Sequence, residues 1–140
     1  AQTHIYPKEG TKRKACKNVP FVVHLEVSNK KVLPARFFQQ QSGNEPVRDW
    51  LLDLTTEERR LIGNDIMTAE LGWPIGMPLV RPMGGGLFEV RTDLPDGKIA
   101  RVLFCAHKGE MVLLHGFIKK TQKTPKADLD LAKKRMRGLT

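Results

Sequence analysis

Apolar positions in the second half of the chain follow the two-residue period of β-strands. The pattern predicts strands over Leu87–Thr92, Ile99–His107 and Met111–Ile118. Tight turns are predicted between them, at Pro-Asp-Gly within Leu94–Lys98 and at Lys108-Gly109. These three strands would therefore form two antiparallel hairpins in series.

Before these strands, two stretches have apolar residues three and four positions apart, which is the spacing of helices. The first helix is expected to follow the N-cap residue Asn44 and to run through Leu54, with a proline in its first turn. The second is expected to begin at a capping box of Thr55 and Glu58 and to end near Leu71. The glycine after Leu71 stands where a left-handed C′ residue belongs.

The remaining elements lie near the ends of the chain or between the two patterns. Short strands are predicted over Val19–Val27 and Val32–Gln40, and a proline-rich loop over Trp73–Met83. Thr124 as N-cap and a following proline predict a final helix over Pro125–Arg137. The fold class is therefore α+β with the order β-α-α-β-β-β-α. One antiparallel sheet would carry two helices on a face, followed by a C-terminal helix.

Length and composition fit one domain that is not embedded in a membrane. The chain has 140 residues, of which 40% are hydrophobic, enough to form a core. Stretches such as Ile99–Ala106 are too short to span a bilayer, and the polar N-terminus does not resemble a secretory signal. With only Cys16 and Cys105, a disulfide framework is not expected, and the compartment should be a reducing cytosol.

Positive charge is concentrated at the two ends of the chain. The 24 Lys and Arg against 15 Asp and Glu leave a net charge of +9, and residues 1–36 and 119–140 each carry an excess of +6. This excess suggests nucleic acid or another polyanion as partner. We assign residues 1–30 to a basic N-terminal extension, flexible or partly ordered, and residues 31–140 to the folded domain.

Several common kinds of site are not supported by the motifs. Gly84-Gly85-Gly86 leads from a loop into a strand rather than into a helix, so we interpret it as a tight turn and not as a phosphate loop. The histidines show no metal-ligand spacing, and Cys105 is expected to be a small buried hydrophobe. We therefore expect no metal and no cofactor. No nucleophile elbow is present, and too few aromatic residues occur for a base-stacking sheet.

The acidic residues of the helices are expected to have ordinary surface roles. Four carboxylates on the second predicted helix should be solvated: Glu57, Glu58, Asp65 and Glu70. Asp128 and Asp130 lie early in the last helix, where they should complement its dipole.

Basic residues from distant parts of the sequence are predicted to meet at one edge of the sheet. Arg91 ends one strand and Arg101 begins the next, so a hairpin brings them together. The end of the last strand returns to the start of its neighbour, which places Arg101 near Phe117–Lys119. Lys120 and Lys123 follow directly, and together these side chains form a candidate basic groove.

The side of the sheet on which His115 lies depends on register. A two-residue turn at Lys108-Gly109 pairs His115 with Val102, on the face opposite Arg101. A three-residue turn that includes Glu110 pairs it with Leu103, on the face of Arg101. Both registers remain open from the sequence.

Five segments together resemble the HigB-like, phage-derived branch of the RelE/ParE toxin superfamily. They are Asn44–Leu51, Gly76–Pro82, Gly86–Arg91, Ala100–Phe104 and His115–Pro125. The resemblance runs from about Val32 to the C-terminus, and its most specific part is a strand ending in HGFIKK followed by TQKTP and a helix. It implies a RelE-like fold and a metal-independent mRNA endoribonuclease (an mRNA interferase) that acts with the ribosome. It also implies a cytoplasmic bacterial toxin neutralised by a small helix-turn-helix antitoxin, HigA-like in this branch.

The resemblance also suggests roles for the basic residues. Arg91 and Arg101 match positions that line the RNA groove, and Lys119 and Lys120 match the basic pair after the last core strand. Candidate catalytic residues are Arg91, Arg101, His115, Lys119 and Lys120. Candidate RNA-binding residues are Arg81, Lys123, Lys126 and Lys133. The C-terminal tyrosine of some relatives is missing, and about thirty N-terminal residues are additional.

RNA supplies its own nucleophile, the 2′-OH, so cleavage needs a base, a positive charge at the phosphorane and an acid. Lys119 or Lys120 is the candidate base, because neighbouring cations lower a lysine pKa. Arg91 and Arg101 would clamp the phosphate. Lys123 or His115 would donate the proton to the leaving oxygen.

Three other functions compete with this hypothesis. A ParE-like relative would poison gyrase without RNase chemistry, although that group usually lacks the terminal lysines. An inactive basic module would bind only nucleic acid or its antitoxin. A DNA-binding regulator is disfavoured, because no tight helix-turn-helix is predicted.

Overall fold

The structure, a computed structural model, describes residues 30–140. Its elements in chain order are β1 (Ala35–Phe37), α1 (Pro46–Leu52), α2 (Thr56–Gly72), β2 (Val80–Gly84), β3 (Leu87–Asp93), β4 (Ile99–His107), β5 (Glu110–Lys119) and α3 (Lys126–Arg137). The strand predicted over Val19–Val27 and nearly all of the N-terminal extension lie outside the described residues.

The strands form one mixed sheet in the order β1-β5-β4-β3-β2. The predicted α+β class is confirmed, and the two hairpins from β3 to β5 are present. Two details of the prediction are wrong. The sheet is not wholly antiparallel, because the short β1 pairs parallel to β5. The expected loop Trp73–Met83 contains most of a fifth strand, β2.

Strand β2 escapes prediction because its sequence contains a proline. Pro82 lacks an N–H donor, which usually argues against a strand. Among the strands of residues 30–140, β2 lies at the edge of the sheet and pairs with β3 alone, so one side of its backbone needs no partner there. Gly84, Gly85 and Gly86 then all adopt positive φ in the turn to β3. This confirms the interpretation of the triple glycine as a tight turn.

The helix boundaries confirm one capping prediction and correct three others. Thr55 and Glu58 form the expected capping box, with two reciprocal hydrogen bonds of 3.1 Å. The N-cap of α1 is Glu45 rather than Asn44. Gly72 is the last residue of α2 and is not among the glycines of positive φ, so it is not a left-handed cap. At α3 the N-cap is Pro125, because Thr124 makes a different contact, described below.

A β-bulge in β5 decides the orientation of His115. The turn Lys108-Gly109 has two residues, both with positive φ, as predicted. Phe104 pairs with Leu113, but its neighbour Leu103 pairs with His115, so β5 contains one extra residue at this point. His115 therefore has the pairing expected for a three-residue turn, reached instead through the bulge.

The two faces of the sheet pack against different helices. One face packs on α1 and α2; we call it the apolar face, and its buried side chains include Val90, Val102, Phe104 and Leu113. The other, the α3 face, buries Leu87, Leu103, Val112 and Leu114 against Ala132 of α3. Gly116 allows close packing on the apolar face, since an added Cβ would lie 2.4 Å from the Trp50 ring.

Candidate functional site

Two arginines lie side by side on the α3 face, where β3 ends and β4 begins. Arg91 of β3 is directly opposite Arg101 of β4, and Arg101 is directly opposite Phe117 of β5. The predicted approach of Arg91 to Arg101, and of Arg101 to the end of β5, is therefore confirmed. Because adjacent like charges repel, such a pair needs compensating groups nearby.

The fully buried carboxylate of Glu89 supplies part of that compensation. It accepts a hydrogen bond from Arg91 Nε at 2.8 Å, two positions along the same strand. Its other oxygen accepts a short hydrogen bond from the hydroxyl of Thr124. Thr124 thus fixes the entry to α3 through a buried charge instead of capping the helix.

Arg101 is 0% exposed and only partly satisfied. Its Nη2 donates to the carbonyl of Thr121, whereas Nε and Nη1 have no hydrogen-bonding partner among residues 30–140. Burial and then the neighbouring Arg91 lower the pKa of this guanidinium. Unfilled donors on a buried cation are costly, and an anionic oxygen would satisfy them.

The segment of residues 120–125 covers the two arginines, and we call it the cover loop. Thr121 accepts from Arg101, as described above, and Gln122 accepts from Arg91 through both its side chain and its carbonyl. Together with the Thr124 contact to Glu89, these bonds hold the cover loop against the sheet. The carbonyl oxygens of Thr121 and Gln122 therefore occupy positions at which phosphate oxygens could accept the same arginine hydrogen bonds.

A histidine and an aspartate form a close pair beside the arginines. His115 Nε2 lies 2.7 Å from Asp128 Oδ1, in the first turn of α3. The imidazole stacks on Phe117 with ring centroids 5.5 Å apart, and Arg101 Cζ lies 5.8 Å from the centroid of the same ring. Lys119 Nζ is 3.9 Å from the second Asp128 oxygen. Asp128 therefore orients the His115 imidazole. The sequence predicted only that Asp128 would complement the dipole of the last helix.

The structure brings together only part of the predicted set. Arg81, Arg91, Arg101, His115 and Lys119 share the α3 face, with Arg81 opposite Glu89. Lys120 and Lys123 lie on the cover loop, where their side chains are exposed. Lys126 instead pairs with Asp130 at 2.8 Å, which raises the pKa of the Lys126 ammonium. Lys133 lies further along α3.

Glu70 was expected to be solvated, and that expectation is wrong. Its side chain is buried at the N-terminal end of the fold, where it accepts from the Ala35 N–H at 2.6 Å and lies 3.2 Å from Lys31 Nζ. Burial raises the pKa of this carboxyl to about 7. Asp65 is also half-buried, and burial raises its pKa despite a hydrogen bond to Thr92. Glu70 thus fastens β1 to α2, away from the arginines.

Other predictions concern groups outside this cluster. Cys105 is buried as expected, and burial raises the pKa of its thiol. From residue 30 onward, no group of three potential ligands could hold a metal ion. Over the same range, no helix is both long and apolar enough to cross a membrane.

Comparison with protein-family models identifies a family for this chain. The sequence profile of the family described as phage derived protein Gp49-like (DUF891) matches residues 49–137, which is more than half of the chain. The match begins inside α1 and ends with α3, so it includes the arginines, the cover loop and the His115–Asp128 pair. A search of curated proteins finds no match.

Proposed function

Because the chain belongs to the phage-derived Gp49-like family of RelE-related, toxin-like proteins, we propose that it cleaves mRNA as the toxin of a type II toxin–antitoxin pair. The observation that carries this proposal is the buried Arg101, two of whose nitrogens lack a hydrogen-bond partner in the described part of the chain, next to Arg91 and to an imidazole oriented by a carboxylate. Phosphate-binding charge and a proton-transfer group are the two requirements for cleavage by the 2′-OH.

The arginine pair would bind the scissile phosphate. Guanidinium groups present N–H donors in a planar fork that fits phosphate oxygens, and they remain charged at neutral pH. In this proposal phosphate oxygens replace the carbonyls of Thr121 and Gln122, so the cover loop moves aside when RNA binds. The donors left unfilled at Arg101 favour that exchange, since they gain partners in the complex.

His115 is the group best placed for proton transfer. Asp128 holds one ring nitrogen and stabilises the imidazolium that forms when His115 takes the 2′-OH proton. The 2′ oxygen then bonds to phosphorus, the bond from phosphorus to the 5′ oxygen breaks, and that oxygen receives a proton. The products carry a 2′,3′-cyclic phosphate and a 5′-hydroxyl.

Lys119 is better suited to donate that second proton than to act as the base. Its side chain is 47% exposed, its Nζ lies 3.9 Å from the Asp128 carboxylate that also contacts His115, and a lysine ordinarily carries its proton at neutral pH. Lys120 and Lys123, on the cover loop, would bind flanking phosphates together with Arg81, Lys126 and Lys133. Loss of each such contact should weaken RNA binding and reduce its salt dependence by about one unit of slope.

We further propose that the substrate is mRNA on the ribosome and that a small helix-turn-helix antitoxin of the HigA type neutralises the protein in the bacterial cytoplasm. The HigB-like segments described above support this finer assignment. The strongly basic C-terminal region also favours binding to the ribosome, whose RNA is a polyanion.

The test is inducible expression in bacteria, with growth and the 5′ ends of cellular mRNA measured together. Wild type should arrest growth and produce new ends within translated codons, and Arg101→Ala should do neither. Arg48→Ala, an exposed arginine on α1, is the matched control and should behave like wild type. Cleavage that persists in Arg101→Ala would disprove the assigned role.

A catalytically inactive binding module is the alternative that a specific observation favours. Arg101 has no exposed surface in this conformation, and complete burial is also what a purely structural arginine would show. That alternative predicts no growth arrest by the wild type. Arrest with intact mRNA would instead support a gyrase poison of the ParE type.

A further inference from the structure

A cavity of about 540 Å³ opens beside Arg91, at the end of the sheet where β3 and β4 meet. Gln122 also lines it, so the cavity adjoins the cover loop and the arginine pair. Helix α2 contributes Leu61, Asn64 and Asp65 on the other side. Cavities of this size commonly hold small organic ligands.

The lining combines apolar walls with groups that recognise a polar edge. Leu61, Pro78 and Ile99 provide apolar surface. Met77 also lines the cavity, and this residue is 63% exposed. An apolar side chain left this exposed is available to cover a flat ring. A nucleobase has matching chemistry, because its faces stack on apolar or guanidinium surfaces and its edge forms hydrogen bonds.

The polar groups include both pure acceptors and pure donors. Asp65 and Asp93 are carboxylates, and Arg81 and Arg91 are guanidiniums. Asp65 is half-buried and already bonded to the Thr92 hydroxyl, which limits the positions it can take. A ligand must therefore offer donors to a carboxylate and acceptors to an arginine at the same time.

We propose that this cavity is a guanine-binding pocket next to the phosphate site, a proposal that rests on the proposed function for its substrate. Guanine presents two adjacent donors, N1–H and N2–H, which one carboxylate accepts together. It also presents O6 and N7, which arginine recognises in a bidentate manner. Adenine and cytosine place a ring-nitrogen acceptor beside their amino group, so it would face the carboxylate. Uracil offers a single N–H between two carbonyls.

Titration of the full chain with single nucleotides tests the pocket directly. Guanosine 5′-monophosphate should bind about 5- to 150-fold more tightly than adenosine 5′-monophosphate, the range of one good bidentate base contact. Asp65→Asn should abolish most of this preference, because its amide would donate toward N1–H. Asp53→Asn, an exposed aspartate after α1, is the matched control and should retain the preference.

A second variant protects the test against misfolding. If Asp65→Asn does not show a cooperative thermal transition, Arg81→Gln on the edge strand β2 replaces it and should weaken binding of guanosine 5′-monophosphate at least about fivefold. Equal binding of the two nucleotides by wild type would overturn the proposal. A guanine preference unchanged in the folded pocket variant would also overturn it.

The titration needs neither the ribosome nor cleavage, so the two proposals fail separately. A protein that prefers guanine but leaves mRNA intact would support the pocket and contradict the endoribonuclease. A protein that cleaves mRNA but binds both nucleotides equally would contradict the pocket alone.

Discussion

The two faces of the sheet share the same strands but are built on opposite principles. On the apolar face, Phe104 packs against Phe88 and Trp73, with ring centroids 5.5 to 5.6 Å from Phe104. On the α3 face, the same strand carries Arg101, which is fully buried and has two nitrogens without a hydrogen-bond partner among residues 30–140. A buried charge is not needed for the stability of the fold, since well-packed apolar residues at such positions often give equal or greater stability. The comparison indicates that the first face maintains the fold and that the second is kept for binding.

The largest effect is expected from truncation on the apolar face. Phe104→Ala removes a fully buried ring and should lower the free energy of unfolding by about 3–5 kcal/mol. Urea denaturation followed by circular dichroism measures this change. A loss below about 1 kcal/mol would show that the aromatic cluster collapses around the cavity and is not the main support of the sheet.

Replacement of the buried charge should separate activity from stability. Arg101→Met replaces the buried charge with a flexible and somewhat smaller apolar side chain, and we expect an unfolding free energy equal to or above that of wild type. Cleavage should fall about 100- to 1,000-fold, as when one preorganised transition-state donor is lost. Denaturation and mRNA end mapping on the same variant give both values. An unfolded Arg101→Met would show that the α3 face also depends on its charge for folding.

Glu70 links pH to the attachment of β1. Its pKa of about 7 in the folded protein exceeds the ordinary 4.5, so the folded state binds more protons between these values. Stability from this group is therefore fully present below about pH 4.5 and is lost as the pH rises through 7. The total loss is on the order of 3 kcal/mol.

Denaturation midpoints at several pH values test this linkage. Glu70→Gln should flatten the fall in stability between pH 5 and 7, whereas the exposed Glu57→Gln should leave it unchanged. Asp65 acts in the same direction, since burial also raises its pKa, so a residual slope is expected. An identical slope in Glu70→Gln and wild type would contradict the assignment.

The smallest effect is expected at the carboxylate behind the imidazole. Asp128→Asn leaves His115 without its anionic partner and should reduce cleavage about 10- to 100-fold, as loss of an orienting group usually does. Asp130→Asn is the control, because that exposed aspartate on the same helix pairs only with Lys126 among the contacts described. Equal rates for the two variants would remove His115 from the proposed mechanism.

Local signals in the sequence were enough for the central hairpin. The turn residues Lys108-Gly109 and the alternation on either side define β4 and β5 without reference to other parts of the chain. The approach of Arg91 to Arg101 follows from the same pairing. The side of His115 did not follow, because a bulge at Leu114 shifts the pairing between β4 and β5, and the turn residues carry no sign of it.

Contacts between distant residues explain the other errors. Thr124 satisfies Glu89, 35 positions earlier, and so does not cap α3. Glu70 is buried because the backbone of Ala35, also 35 positions away, donates to it. In both cases the local pattern is that of an ordinary cap or a solvated helix residue. Only the tertiary partner changes the role.

The bulge in β5 has a consequence for how relatives of this chain should be aligned. What matters is the β4 residue with which His115 pairs, and not which turn connects the strands: pairing with Leu103 puts the imidazole on the face of Arg101, and pairing with Val102 would put it on the other. A homologue with a three-residue turn and no bulge would present the same imidazole to the same arginine. Insertions in this hairpin should therefore occur in compensated pairs, with a residue lost from the bulge when one is gained in the turn.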